Sequence, residues 1–230
     1  MRAYVSEVIE PEEYEALSNE TLLKRITDGM SVDETKIEEE YFHKKNAEYM
    51  ERAMYVCPFC GLSTFESHED TVTCKTCGKT LRYLPDKTLV GEGFDFPYKN
   101  IADWYEYQSS FVNGLDLLSM NPAKPIYTDT VDLSEVILYK NKKKTEENAQ
   151  MSLYPDRITL TKDGRTVLDM PHSETAVVTV LGRNKLNVYF GDKVWQMKGG
   201  KRFNALKYVH FYHRYKNITE GDGDNEFLGL

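Results

Sequence analysis

The chain has 230 residues, a formal net charge of −8 and 40% hydrophobic residues, enough apolar mass for one large core or two small ones. No apolar run approaches the ~20 residues that cross a bilayer, and the N-terminus lacks the charged start and apolar stretch of a secretory signal. With only four cysteines, all in one motif, a reducing cytoplasmic compartment is expected. The mean charge hides an asymmetry. Residues 1–56 carry −7 and residues 57–128 carry −3, whereas residues 129–216 carry +6 and the tail 217–230 carries −4. An anionic partner is therefore expected to meet residues 129–216.

Residues 3–9 alternate apolar and polar side chains, the pattern of a short strand. Pro11 suits the first position of a helix over residues 11–17. Ser18 caps a second helix, with Leu22, Leu23, Ile26 and Met30 on one stripe. Ser31 and Glu34 form a capping box for a third helix running towards Met54. Its apolar stripe is interrupted by the polar stretch 43–46.

Next come Cys57-Pro58-Phe59-Cys60-Gly61 and Cys74-Lys75-Thr76-Cys77-Gly78, two C-x-x-C-G turns around a thirteen-residue spacer. Four thiolates at this spacing can close on one ion, as in structural zinc sites. In each knuckle the chain reverses, backbone N–H groups aim at sulfur, and the glycine supplies the positive φ the turn needs. The spacer is long enough for a hairpin that turns at residues 67–70. Disulfides would require an oxidising compartment, a redox pair would sit at a helix start and come singly, and iron–sulfur ligation rarely uses two symmetric knuckles. Structural Zn2+ on Cys57, Cys60, Cys74 and Cys77 is the expectation. With all four ligands from protein the site has no open position, so it folds a module and does not activate water.

Residues 81–84 and 87–90 extend the hairpin, residues 91–97 form a loop, and residues 100–111 form a helix rich in aromatics. Residues 121–125, with two prolines, read as a linker. From Thr130 the period becomes two. Strands are expected over 131–139, 151–154, 157–161, 166–170, 176–181, 186–190 and 193–197, joined by tight turns such as Gly191-Asp192. A helix over 201–215 follows. Seven antiparallel strands closed by one helix is the layout of a pleckstrin-homology (PH)-like barrel. The fold class is thus α+β: an N-terminal helical segment (1–55), a four-cysteine zinc ribbon (56–90), an aromatic helix and linker (91–128), a PH-like barrel with its helix (129–217) and an acidic tail (218–230).

The chain lacks one catalytic pattern, His-x4-Asp, in which a histidine base activates a hydroxyl and a carboxylate orients it. The nearest arrangement is His43 with Glu48 on a polar surface. His210 and His213 stand three apart and could share a metal, although aromatic-edge packing is the commoner role. Lys142, Lys143 and Lys144 fall between the first two barrel strands, where a PH-like module meets phosphate headgroups. Each lysine there is worth ~1 kcal/mol near an anionic leaflet. Arg183 and Lys185, with Lys201 and Arg202, could widen that basic face, although the sequence does not show that they converge, while Glu146 and Glu147 would offset it. The ribbon sets Lys75, Lys79 and Arg82 against Glu66, Glu69 and Asp70, too balanced for a surface that tracks nucleic acid.

The segment YVSEVIEPEEYEALSNETLLKRITDGM (4–30) resembles the last strand and terminal helix of the acyltransferase domain of bacterial lysophosphatidate (1-acyl-glycerol-3-phosphate) acyltransferases. The CPFCG…CKTCG ribbon, the FPYKNIADWYEYQ helix and the barrel ending in RFNALKYVHFY and FLGL resemble the C-terminal extension of Firmicute members of that family. The resemblance covers nearly the whole chain and implies a non-catalytic accessory region of a phospholipid-synthesis enzyme. Because the family's His-x4-Asp and its glycerol-phosphate motif have no counterpart here, no catalytic residue carries over. The partners implied are an anionic phospholipid surface, another protein or the acyltransferase domain itself, at the inner face of the membrane. The rival expectations are a free-standing zinc-ribbon module that binds protein and a ribbon that binds nucleic acid.

Overall fold

The computed structural model describes residues 5, 7–31, 39–138 and 141–221. The chain divides into two units, residues 1–39 and 40–230.

In the first unit, α1 (Pro11–Tyr14) starts on its proline, and α2 (Asn19–Met30) is capped by Ser18, whose side chain accepts from the Thr21 N–H at 3.3 Å. Arg25 ties this unit together by pairing with Glu7 and, at 2.6 Å, with Glu13. The apolar stripe is present but unburied: Leu23, Ile26 and Met30 face solvent. Of the expected strand over residues 3–9, residues 5 and 7–9 carry no strand, while residues 3, 4 and 6 lie outside the described residues, as do Glu34 of the capping box and the terminal residues 227–230.

The second unit opens with a departure from the expected third helix. Residues 39–49 are not helical, and only Met50–Arg52 forms a single 3-10 turn. The interrupted apolar stripe is the reason, because these N–H groups find partners elsewhere. Tyr41 donates to the Pro85 carbonyl (2.9 Å), Ala47 to Glu69 (2.8 Å) and Tyr49 to the Ser67 hydroxyl (2.7 Å). Tyr49 adopts φ 73°, which breaks any helix at that point.

Strands β1 (Val56–Cys57) and β2 (Gly61–Leu62) form a minimal hairpin. A four-stranded antiparallel meander follows: β3 (Phe65–His68), β4 (Thr71–Cys74), β5 (Thr80–Tyr83) and β6 (Leu89–Gly91). Its small core joins Phe65, Val72, Leu81 and Leu89 to Ala47, Met54 and Trp104. Trp104 lies on α3 (Ile101–Asn113), a helix capped by Asn100, whose side-chain carbonyl accepts from the Asp103 N–H at 2.9 Å. The same helix carries the buried Gln108. Its side-chain carbonyl accepts from the N–H groups of Tyr55 and Val56 (2.7 and 3.1 Å), and its amide donates to Ala53 O (2.9 Å). Trp104 Nε1 donates to Val56 O at 2.9 Å. The helix thus clips the backbone that leads into the first cysteine.

The remaining strands are β7 (Tyr127–Leu138), β8 (Asn141–Leu153), β9 (Arg157–Lys162), β10 (Arg165–Pro171), β11 (Thr175–Val180), β12 (Lys185–Phe190) and β13 (Lys193–Gly199). They form one curled antiparallel sheet in the order β10-β9-β8-β7-β13-β12-β11. All seven expected strands are present. Two start several residues early: β7 begins at Tyr127 instead of Val131, and β8 begins at Asn141 instead of Met151. Lys142, Lys143 and Lys144 therefore sit in a strand opposite Val136, Glu135 and Ser134, not in a loop. This solvated half of the hairpin is polar and charged along nearly its whole length and so lacks the apolar alternation of a strand. Among the described residues no ladder joins β10 to β11, so the sheet curls without closing. The helix α4 (Leu206–Glu220) starts five residues later than expected and buries Tyr208, Phe211 and Tyr212 in the sheet's core with Leu133, Met151, Leu160 and Met197. Each fully buried apolar side chain of this size contributes about 1.5–3 kcal/mol. The chain is α+β as expected. No helix among the described residues is long and apolar enough to cross a membrane.

Candidate metal centre

The β1–β2 turn and the turn after β4 bring the four cysteines together. The Sγ atoms of Cys57, Cys60, Cys74 and Cys77 all lie within 4.8 Å of one another. Cys57 and Cys77 are 3.7 Å apart, and Cys60 and Cys74 are 3.6 Å apart. A tetrahedral site with Zn–S bonds of about 2.3 Å has S···S edges of about 3.8 Å, so these distances match sulfurs arranged around an ion. All four are free thiols. The donor set fits zinc: four soft thiolates of protein origin and no carboxylate or imidazole among the ligand atoms.

Local backbone geometry explains why the cysteines converge. Gly61 and Gly78 hold φ of 78° and 73°, the left-handed conformation that lets each knuckle reverse. Backbone N–H groups of Phe59 and Cys60 serve the Cys57 sulfur, and those of Thr76 and Cys77 serve Cys74. Without a cation, burial and neighbouring sulfurs oppose ionisation of Cys57 and Cys60. Burial pushes the Cys57 thiol up to about 11. Desolvation and the neighbouring sulfurs raise Cys60 as well. Burial opposes ionisation of Cys74 too, but the Ser63 hydroxyl at 3.0 Å and the two N–H groups outweigh it and bring this thiol down to about 7. A divalent ion would complete the ionisation, since a coordinating thiol is deprotonated outright. Ser63 is absent from any sequence pattern used above, because its approach depends on the register of the spacer.

The cations of the four-stranded meander are already engaged. Lys75 pairs with Glu66 at 2.7 Å, and Arg82 pairs with Asp70 (2.8 Å) and Glu92 (2.9 Å). Lys79 lies over the rings of Phe59 and Phe94 at 4.7 and 4.3 Å. A phosphate backbone would have to displace these contacts.

The other sequence candidates separate clearly. His43 and Glu48 are not a pair: His43 Nδ1 accepts from the Lys45 N–H at 3.0 Å, while Glu48 binds Arg202 at 2.7 Å. His210 fills the edge of an aromatic core. Its Nδ1 meets the Tyr55 hydroxyl at 2.5 Å and its Nε2 the Tyr105 hydroxyl at 3.1 Å, and burial pushes its pKa down to about 3. Both nitrogens are occupied, and His213 joins no metal-ligand group among the described residues. Of the five basic candidates, Lys142 and Lys185 come within electrostatic reach of each other, and Lys198 joins them. Lys144 turns away to Glu147 (2.6 Å) and Asp132 (3.6 Å). Lys143 lies opposite Glu135 on β7, and Arg183 occupies the β11–β12 turn.

Sequence reasoning missed a buried cluster under α4. Lys207 Nζ lies 2.7 Å from Asp129, which also accepts from the Tyr208 hydroxyl at 2.6 Å. Burial pushes the Lys207 ammonium down against the pull of Asp129. The cluster fastens the helix to β7. No sequence signal marked it, since the partners lie far apart in the chain. Compared with models of known protein families and with curated proteins, the chain matches none.

Proposed function

We propose that this chain is a zinc-stabilised, non-catalytic module whose curled sheet docks on an anionic partner. In this reading Cys57, Cys60, Cys74 and Cys77 hold one structural Zn2+ in a zinc ribbon, and the seven-stranded sheet with α4 is a PH-like domain. The four-sulfur cluster, buried at Cys57 and Cys74 and reaching the surface at Cys60 and Cys77, carries the reading. Four protein thiolates leave no coordination position for water or substrate, so the ion contributes folding free energy and no Lewis-acid step. Further support comes from the histidines: His43 and Glu48 hold other partners, and both nitrogens of His210 are hydrogen-bonded.

The resemblance to the C-terminal extension of lysophosphatidate acyltransferases gives this module a setting. It would position a phospholipid-synthesis enzyme at the inner membrane face through lipid or through the acyltransferase domain. The +6 charge of residues 129–216 favours an anionic lipid surface. Co-sedimentation with phosphatidylcholine vesicles, neat or doped with phosphatidic acid, tests this directly. The expected result is retention on the doped vesicles alone, falling as salt rises. Failure of the doped vesicles to retain the zinc-loaded chain at low salt would remove the lipid contact and leave docking on protein.

A further inference from the structure

On the solvent face of the curled sheet, three lysines gather with no ion pair to any of them among the described residues. Lys185 and Lys198 stand directly opposite each other across the β12–β13 ladder. Like charges in that position destabilise a sheet. Lys142, at the start of β8, reaches over β7 so that its ammonium donates to the Gln196 side-chain carbonyl. Gln196 is itself buried, and its amide donates to Asn187 Oδ1 at 2.8 Å. This relay holds one ammonium beside the other two instead of letting it swing into water. Partial burial and the charges of Lys185 and Lys198 lower the pKa of Lys142. The acid opposite Lys198 in register is Asp132 on β7, whose carboxylate meets Lys144 at 3.6 Å and accepts from the Asn148 N–H at 3.1 Å.

We propose that Lys142, Lys185 and Lys198 form a binding site for a phosphomonoester dianion, with Gln196 and Asn187 as positioning residues. Three ammoniums present compact charges, each with three donors. A dianion offsets most of their mutual repulsion, whereas a neutral ligand offsets none. The site lies on an open strand face, so it can take a free phosphate ester or a headgroup standing out of a bilayer. The proposal deepens the anionic-partner reading and rests on it only for the membrane as the source of the phosphate.

The full zinc-loaded chain is titrated with inorganic phosphate at constant ionic strength while the side-chain amide signals of Gln196 and Asn187 are followed by NMR. Its retention on phosphatidylcholine vesicles doped with phosphatidic acid is measured alongside. The expected result is that phosphate moves both amides. K185Q and K198Q each weaken binding about fivefold, while K162Q, an equal charge change on β9, leaves it unaltered. Neither variant should lower the thermal midpoint, because each removes a like-charge contact. Binding of phosphate without retention on doped vesicles would keep the site and remove the membrane as its source. If K185Q and K198Q weaken retention no more than K162Q does, the site is overturned and a diffuse membrane attraction remains. Unmoved amides in phosphate together with no retention would overturn it as well.

Discussion

The cysteine meander and the curled sheet are both antiparallel, yet they are held by different forces. The sheet buries a long roll of apolar residues, from Val131 and Leu133 through Leu160 and Met170 to Phe211, under the cover of α4. The meander has a core of only a few side chains, and two of its buried residues, Cys57 and Cys74, are also metal-ligand candidates. A sheet with that much apolar burial supplies its own folding free energy. A module as small as the meander needs a staple, and four thiolates on one ion would provide it. The lesson is one of location: ligand changes should damage one region and core changes the other, with α3 as the element common to both.

The largest effect should follow from removing a ligand. Cys60→Ser or Cys77→Ser forfeits much of a binding free energy of roughly 10–16 kcal/mol for structural zinc, so the meander should unfold while the sheet persists. The chain's two tryptophans can report this separately, since Trp104 packs in the meander core and Trp195 beside the sheet core. A Trp195→Phe background should show the Cys77→Ser change in fluorescence, and a Trp104→Phe background should not. Unchanged far-UV circular dichroism and thermal stability in both serine variants would refute the staple.

A smaller effect, on the other side of the comparison, is expected from Leu160→Ala. Leu160 is fully buried on β9, and its truncation should cost about 2–5 kcal/mol. Denaturant unfolding of the sheet should move accordingly, with the metal content of the folded protein unaltered. Loss of metal in the native state of this variant would mean that the two regions fold as one.

The smallest change concerns His172, which lies between β10 and β11 against Tyr212 and Tyr215. It is fully buried, and neither ring nitrogen has a hydrogen-bond partner among the described residues. Burial, with a lesser push from Lys216, takes its pKa down to about 3. The folded state therefore binds the neutral ring, and the unfolded chain takes up the proton first. Its contribution to stability is intact above the ordinary histidine value near 6.5 and is lost as pH falls from there towards about 3. His172→Phe removes both the titration and the unsatisfied N–H, so it should stabilise the sheet by about 1–3 kcal/mol at neutral pH. It should also flatten the acid limb of the stability curve. An unchanged slope between pH 6 and 4 would show that other groups govern acid sensitivity.

The legibility of the sequence followed the same division. The cysteine site was fully visible, because short-range spacing and two glycines dictate it. The strands were visible wherever a buried face imposed alternation, as in residues 157–161 and 186–190. Residues 141–150 were invisible as a strand, since both faces there are mostly polar and exposed. The helix expected to run to Met54 failed because its polar break was real: Tyr49 turns left-handed and the flanking N–H groups pair with the meander. Gln108, Ser63, Lys198 and the Lys207–Asp129 pair were out of reach, since each owes its role to a partner brought close only by register or helix docking. The basic run was noticed, but the residues that converge are Lys142 and Lys185 with Lys198, not Lys143 or Lys144.

The most direct test of the account is hydrogen exchange of the whole chain before and after the metal is withdrawn with a strong chelator. The account predicts that amides in residues 56–91 lose protection while those of β7–β13 and α4 keep theirs, with α3 intermediate. Equal loss across both regions, or no loss in either, would contradict the claim that an ion on four sulfurs holds one region while apolar burial holds the other.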